Sequence, residues 1–380
     1  MSEYAILFTT NIGILVLCTV LMPMLPRITR DSYLFGVKIP PEEQHSPEAH
    51  QIKTRFKFVI LAGMAILFAL CILQFVAFRE WTFWATMYLP LLIIPVFFVA
   101  FVPSWRAATN LKAQRGWQVS NTQFAETRTA NIRGRLSALP WVWYIAGFAV
   151  IMGTILVANA RFRHLPQTIA TRFNTDMQPV AWTQTSWLTV LTIPLINTTI
   201  LLSFALIAVL IEKAKLQIDP DRPHLSFMQH RIFRRRMGHA FGFLTITVIL
   251  YIAMVGLMVL FPESSVLTSP AVFWGGMVLI HVPVVVIIVV YVKSGQGGGK
   301  IKIESSEIDE PIAPVYAGCY DDRHWRIGMF YYNPDDPATF VESRFGGNYS
   351  LNYARWSSKI ISLMIIIGLI ATYIWIGIVL

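Results

Sequence analysis

Charged side chains are absent from eight stretches of this chain, beginning near Ala5, Phe58, Trp81, Pro140, Trp187, Ala240, Ser264 and Ile360, each 21 residues or longer. A helix needs roughly 20 apolar residues to cross a hydrocarbon core about 30 Å thick. In lipid the backbone must satisfy its own hydrogen bonds, and barrel strands of about 10 residues with alternating polarity do not match uninterrupted apolar runs. The pattern therefore predicts an all-α polytopic membrane protein, with eight transmembrane helices and a small cytoplasmic α+β module before the last one. The expected organisation is membrane helices 1 to 4 with two cytoplasmic loops over 1–160 and an extracytoplasmic loop over 161–186. Helices 5 to 7 follow over 187–293, the cytoplasmic module over 294–358 and the last helix over 359–380. Trp81, Trp84, Trp141, Trp143, Tyr144, Trp187 and Trp375 stand near span ends, where amphipathic rings favour headgroup depth. Pro90, Pro95, Pro194 and Pro283 fall inside spans and predict kinks.

The polar segments have their own patterns. Leu34-Phe35-Gly36-Val37 and Ile39-Pro40-Pro41 precede a short helix expected from Pro47 to Phe56, and residues 105–136 read as surface helices. Gly295-Gln296-Gly297-Gly298-Gly299 reads as a flexible link. Lys300-Ile301-Lys302-Ile303-Glu304 alternates with the period of a half-buried strand. Asn333-Pro334-Asp335-Asp336-Pro337 reads as a tight turn between two aromatic runs. Those runs supply the apolar mass of a module of about 50 residues, near the lower limit for independent folding.

Composition agrees with the pattern: 55% of residues are hydrophobic and 14% charged, against about 25% charged in a soluble domain. The net charge of +10 raises the question of nucleic acid, and its distribution answers it. Loops at alternate positions, 27–57, 106–135, 213–236 and 293–359, hold 27 of the 31 Lys and Arg residues. By the positive-inside rule these four loops are cytoplasmic, both termini are extracytoplasmic, and the basic surface meets anionic lipid rather than nucleic acid. The three cysteines, Cys18, Cys71 and Cys319, build neither a disulfide framework nor a metal cluster.

Candidate chemistry is sparse. Lys300 follows a glycine-rich run, but Ser294 stands where a phosphate-binding loop needs its first glycine and Ile301 where it needs Ser or Thr. Glu42, Glu43, His45, Glu48 and His50 lack any spacing with a metal-binding mechanism and read as a solvated loop face. No cofactor or metal is expected. Within the spans His281 and Asn197 are the candidate intramembrane polar residues. His281, two positions before Pro283, reads first as a neutral ring bonded to a carbonyl freed by the kink, and second as a functional group. No Asp, Glu, Lys or Arg lies in a span, which argues against ion-coupled transport, and no nucleophile elbow occurs, so the reading leans away from an enzyme.

Two resemblances add to this. The segment Leu165-Pro166-x-x-Ile169-Ala170-x-Arg172-Phe173-Asn174-x-Asp176, with Pro179 and Trp182 beyond, resembles the unit of SdpI-type bacterial membrane proteins, domain of unknown function 1648. Arg172 stands where that family usually has histidine, so a histidine-based pH response does not carry over. The segment Trp325-x-x-Gly328-x-x-Tyr331-Tyr332-Asn333-Pro334-x-Asp336-Pro337-x-x-Phe340-Val341, then Arg344-Phe345-Gly346 and Asn352, resembles domain of unknown function 5808, which accompanies the first unit in many Gram-positive proteins. The resemblances imply a multi-pass protein of the bacterial cytoplasmic membrane. Leu165, Pro166, Ile169, Arg172, Phe173, Asn174 and Asp176 would contact an envelope-side peptide or protein. Trp325, Gly328, Tyr331, Asn333, Pro334, Asp336 and Pro337 would form a cytoplasmic module open to a regulator. The expected role is immunity to a toxin or antimicrobial peptide, or envelope-stress signalling, without catalysis. The alternative is a transporter or lipid-handling protein using the bundle interior around His281 and Asn197.

Overall fold

The computed structural model describes residues 3–117, 139–219, 222–303, 321–346 and 349–379. Of the surface helices expected over 105–136, residues 105–115 instead continue a long apolar helix that ends at Arg115, and the part beyond Trp117, together with Glu304 and Cys319, lies outside the described residues. Among those described, seven helical stretches are long and apolar enough to cross a membrane: Leu7–Ile28, Pro47–Ala77, Trp84–Arg115, Trp141–His164, Trp187–Lys213, Leu225–Leu260 and Pro270–Gly298. The helices are α1 (Glu3–Leu21), α2 (Leu25–Ile28), α3 (Pro47–Ala77), α4 (Thr82–Tyr88), α5 (Ile93–Arg115), α6 (Trp141–Arg161), α7 (Trp187–Lys213), α8 (Pro223–Leu260), α9 (Pro270–Leu279), α10 (His281–Ser294) and α11 (Trp356–Val379).

Local chemistry explains the boundaries. Helix α3 begins where the Ser46 hydroxyl accepts a hydrogen bond from the Ala49 N–H and Pro47 supplies a preset first turn. The short helix expected over Pro47–Phe56 is in fact the first turns of this continuous 31-residue helix. Helix α5 stops at Gly116, whose φ of 62° closes the last turn, with Lys112 and Arg115 at the negative end of the helix dipole. Pro90 cannot donate to the Thr86 carbonyl, and the third stretch breaks there into α4, a 3₁₀ turn over Pro90–Leu92 and α5. Pro95 sits in the first turn of α5, where a missing N–H costs nothing. Pro194 stays within α7. Pro283 is the third residue of α10, just past the break at Ile280.

The chain gathers into two compact units. The first comprises Met1–Ile6, Ala130–Glu212 and Gln229–Ser294. It contains α6, most of α7 and α8, α9 and α10, and a hairpin of β3 (Thr168–Phe173) and β4 (Pro179–Gln184). Tyr144, Ile151, Leu201 and Ile249 form its buried centre, and Ala158, Ile169, Val190 and Leu260 a second cluster under the hairpin.

The second unit comprises Leu7–Thr129, Lys213–Met228 and Gly295–Leu380. It packs α1, α3 and α5 around a core running from Leu15 through Phe56, Ile60 and Met64 to Phe101, and this core continues without interruption into the loops through Leu34, Phe35, Ile39 and Phe345. Strands β1 (Tyr33–Leu34) and β2 (Val37–Lys38) form one hairpin. In the C-terminal module, β5 (Trp325–Arg326) pairs with β6 (Phe330–Tyr331) and β7 (Phe340–Glu342) with β8 (Tyr349–Leu351), all antiparallel. The segment after α7 adds to the free side of β7, with Lys215 N–H donating to the Phe340 carbonyl and Glu342 N–H to that of Lys215.

Two expectations are corrected here. Lys300–Ile303 forms no strand. The Gly295–Gly299 run is no loose link: Gln296, Gly297 and Gly298 are buried in a tight turn, and the glycines are needed because φ is positive at Gly295, Gly297 and Gly298.

Candidate functional sites at the loop junction and the Thr168–Gln184 hairpin

Described parts of the four basic loops, around Gly36, Lys112, Gln217 and Arg344, converge within the second unit. Their meeting point is Arg344, which has no solvent exposure at all. Its guanidinium pairs with the Asp322 carboxylate, donates to the Gly36 carbonyl at 3.3 Å, and lies over the rings of Trp325 at 5.0 Å and Tyr33 at 5.3 Å. Asp322 also accepts from Lys112, at the end of α5, at 2.6 Å. The next residue, Phe345, is an apolar plug. Its ring stacks on Phe35 at 5.4 Å and meets Phe101 at 4.9 Å and Phe56 at 6.2 Å, so it joins the first hairpin, α5 and α3. A buried charge is tolerated only with partners, and here the module and the first loop supply those of Arg344, while Lys112 at the end of α5 shares the Asp322 carboxylate.

A second layer of polar contacts surrounds this pair. Gln217 donates its backbone N–H to the Glu342 carboxylate at 2.9 Å and its side-chain amide to the Glu342 carbonyl at 3.2 Å, while its amide oxygen accepts from the Tyr33 hydroxyl at 3.2 Å. Burial pushes the Tyr33 phenol up to about 12, against the pull of Arg344 and Arg30. Arg30 donates to the carbonyls of Gln217, Gln296 and Gly297, which is what fixes the glycine-rich turn. Gln296 in turn donates to the Ser343 carbonyl.

Backbones meet as well. In the first hairpin Phe35 and Gly36 have positive φ, 48° and 82°, and in the β5–β6 turn Ile327 and Gly328 do, 52° and 68°. The two turns pack tip to tip: a Cβ on Gly36 would stand 2.1 Å from the Gly328 carbonyl oxygen, and one on Gly328 would stand 2.6 Å from that of Phe35. Glycine is required at both positions by conformation and by contact.

The module residues singled out by resemblance occupy different roles. Trp325 and Tyr331 are buried against each other at 5.0 Å, and Gly328 is the turn glycine just described. Asn333 and Asp336 cap the turn between them: Asn333 Oδ1 accepts from the Asp335 N–H at 2.9 Å and Asp336 Oδ1 from the Ala338 N–H at 3.0 Å. Burial acts to raise the Asp336 carboxyl. The Lys215 ammonium at 2.7 Å, the Ala338 N–H and the Tyr331 hydroxyl outweigh it and hold the group below the usual carboxylate range. Pro334 and Pro337 are exposed.

In the first unit the Leu165–Asp176 residues form the hairpin and its root. Ile169 is buried, Leu165 packs beside it, and Pro166 offers its carbonyl to the Thr185 hydroxyl at 2.6 Å. Asn174 shapes the tip, its Oδ1 accepting from Asp176 N–H at 3.1 Å and Gln178 N–H at 2.8 Å. Trp274, near the start of α9, ties the tip down by donating to the Thr175 carbonyl at 3.1 Å. Phe173 is half-buried. Arg172 and Asp176 are exposed, together with Val180 and Trp182 on β4, the last at 58%. The loop after α8 closes on the same end, since Arg161 pairs with Glu263 and covers the Phe261 ring at 4.4 Å.

Asn197 and His281 are not brought together. Asn197 is buried and donates to the Ile249 carbonyl at 3.2 Å, whereas His281 is exposed on its helix and its Nδ1 bonds to the Met277 carbonyl at 2.9 Å. Among the described residues no group of three or more His, Cys, Asp and Glu side chains could hold a metal ion. Site reasoning from sequence missed Arg30, Tyr33, Lys215, Gln217, Gln296 and Asp322.

Comparison with known proteins adds one match. A model for a family of unknown function, DUF5808, matches residues 334–359, the part of the module that runs from the turn before Asp336 through Arg344 and Phe345 into the first turn of α11. No curated protein and no solved structure matches the chain. The matched segment is thus the one that carries the anchor and plug, and their partners come from loops and helices outside it.

Proposed function

We propose that the chain is an eight-span, SdpI-type protein of a bacterial cytoplasmic membrane, with α11 as the eighth span and both termini outside. In this reading the 161–186 hairpin receives an envelope-side peptide or protein ligand, and the module couples that event to the cytoplasmic loops. The role is immunity to a membrane-active peptide or envelope-stress signalling, without chemistry. The observation that carries it is the hairpin: its root and tip are fixed by Ile169, Thr185 and Trp274, yet Arg172, Val180 and Trp182 stand free of the fold. Ordered, exposed aromatic and basic side chains on a braced loop suit recognition better than they suit stability. The sidedness is supported by contacts among the basic loops, Arg344 with Gly36, Asp322 with Lys112 and Glu342 with Gln217.

The test is a deletion strain challenged with a panel of membrane-active peptides. Loss of the gene should sensitise cells, and Trp182→Ala or Arg172→Ala, with membrane abundance unchanged, should fail to restore tolerance. Wild-type sensitivity across the panel, or full rescue by both variants, would sink the reading. An Asp176→Cys variant lacking the native cysteines should react with an impermeant maleimide in intact cells, and protection there would reverse the topology.

A further inference from the structure

The first unit carries a second feature that the hairpin reading does not use. Helix α8 enters its long apolar run at Ala240, and the turns just before it hold Arg231, Arg234, Arg235 and Arg236. These arginines differ. Arg234 turns inward and donates to the Glu212 carbonyl at 2.7 Å, capping the C-terminal end of α7, where a cation also favours the helix dipole. Phe233, on the inward side too, is buried against the Tyr291 ring of α10. Arg231, Arg235 and Arg236 are exposed, and none of them makes a hydrogen bond or ion pair among the described residues.

Helical spacing organises them further. Arg231, Arg235 and His239 follow one another at intervals of four and share one face of α8. His239 is exposed, and its Nδ1 accepts the Trp143 indole N–H at 3.2 Å, which leaves Nε2 as the donor of that ring. The Trp143 ring is seated by Gly242, where a Cβ would stand 2.3 Å from the ring, and it approaches Phe243 at 6.0 Å. Lys293, exposed at the end of α10, adds a further cation to this end of the unit.

We propose that Arg231, Arg235 and His239, with Trp143 beside them, form a binding site for the phosphate of an anionic phospholipid headgroup. The rise of about 1.5 Å per residue puts Arg235 and His239 about 6 Å apart along the helix, within the roughly 5–8 Å of headgroup layer on each side of a bilayer, and Arg231 reaches in with its long side chain from one turn farther out. The apolar run from Ala240 would then lie in hydrocarbon, with the indole at the boundary, its favoured depth. Outward guanidinium groups in fork geometry suit phosphate oxygens, and no exposed acid on the same face competes. The site rests on the sidedness proposed above only for which leaflet it meets.

The experiment uses the full chain in neutral detergent, titrated with phosphatidylglycerol in mixed micelles, and reads bound lipid by native mass spectrometry and the melting temperature alongside. Phosphatidylglycerol should bind and raise the melting temperature, and phosphatidylcholine should do neither. Each arginine near a charged surface contributes about fivefold, so the Arg231→Gln, Arg235→Gln double variant should bind about 30-fold more weakly. Its lipid-free melting temperature should match that of the wild type. His239→Leu should lose about tenfold by itself, as a hydrogen bond to a charged group does. Arg234→Gln, by contrast, should melt lower with and without lipid and keep the full lipid response. An equal response to phosphatidylcholine, an unchanged response in the double variant, or the same stabilisation by inorganic phosphate alone would overturn the lipid site. Micelles have no sides, so such a failure leaves the orientation to the maleimide test.

Discussion

Replacing Arg344 with alanine removes a buried side chain that ties its own segment to the first hairpin and to the Asp322–Trp325 segment. The lost terms are a charge-assisted hydrogen bond to Asp322, one to the Gly36 carbonyl, and two cation–π contacts, all made by a side chain with no solvent exposure. Breaking a buried ion pair costs about 3–5 kcal/mol when the remaining partner is orphaned. Asp322 is not orphaned, because Lys112 stays at 2.6 Å and a third of the Asp322 side chain is exposed. The expected loss is therefore at the lower end, about 3 kcal/mol, equivalent to roughly a 100-fold rise in local opening of the module. Hydrogen exchange of the amides of Phe340–Leu351 in detergent-solubilised protein reads that opening directly. Protection of Thr168–Gln184, in the other unit, serves as the internal reference and should be unchanged. Asp322→Asn should cost less, and the double variant should fall short of additivity by about 1.5 kcal/mol, since either change alone breaks the same contact. Exchange rates within about fivefold of the wild type, or full additivity in the cycle, would refute Arg344 as the anchor.

Three further outcomes are expected. Gly36→Ala meets both a positive φ and the Gly328 carbonyl, whereas Gly116→Ala meets only a positive φ with nothing within 4 Å, so the first should destabilise by clearly more than the ~1–2 kcal/mol of backbone strain expected of the second; equal losses in melting temperature would remove the tip-to-tip packing from the account. Asn174→Ala deletes two hydrogen bonds that close the hairpin tip, about 1–2 kcal/mol, and should raise amide exchange at Asp176 and Gln178 while leaving the module untouched. The Asp336 carboxyl is held below its unfolded value, so its contribution is complete above about pH 4 and lost as pH falls through the lower, folded value. Acid melting of the module followed by exchange at Val341 should show this loss below about pH 4, and Lys215→Met, which leaves burial as the dominant influence, should abolish it and let the module gain stability as pH falls toward 4; an unaltered profile would show that Lys215 is not what lowers the group.

The helices were legible because their cause is local. Apolar runs bounded by Ser46-Pro47, by Ser269-Pro270 and by Gly116 carry their own caps, and the Asn333–Pro337 turn carries the side chains that close it. The errors occurred where a distant partner decides the outcome. Glycines at 295, 297, 298 and 299 taken alone describe a loose link, yet carbonyl acceptance from Arg30, about 266 positions away, turns them into a buried turn. Lys300–Ile303 alternates like a strand but forms none. Lys215, in a segment read only as part of a basic loop, is the one that pairs with β7.

Composition and periodicity were therefore sufficient for the rough position of seven helices long and apolar enough to cross a membrane. A backbone in lipid has to bond within its own segment, and that requirement is written in contiguous residues. The same reasoning does not reach the junction. Arg344 and Phe345 are an ordinary basic and an ordinary aromatic residue in sequence, and become anchor and plug only when Gly36, Asp322, Phe35 and Phe101 arrive from elsewhere. The free energy of a buried charge depends on which partners surround it, and those partners are brought together by tertiary packing alone.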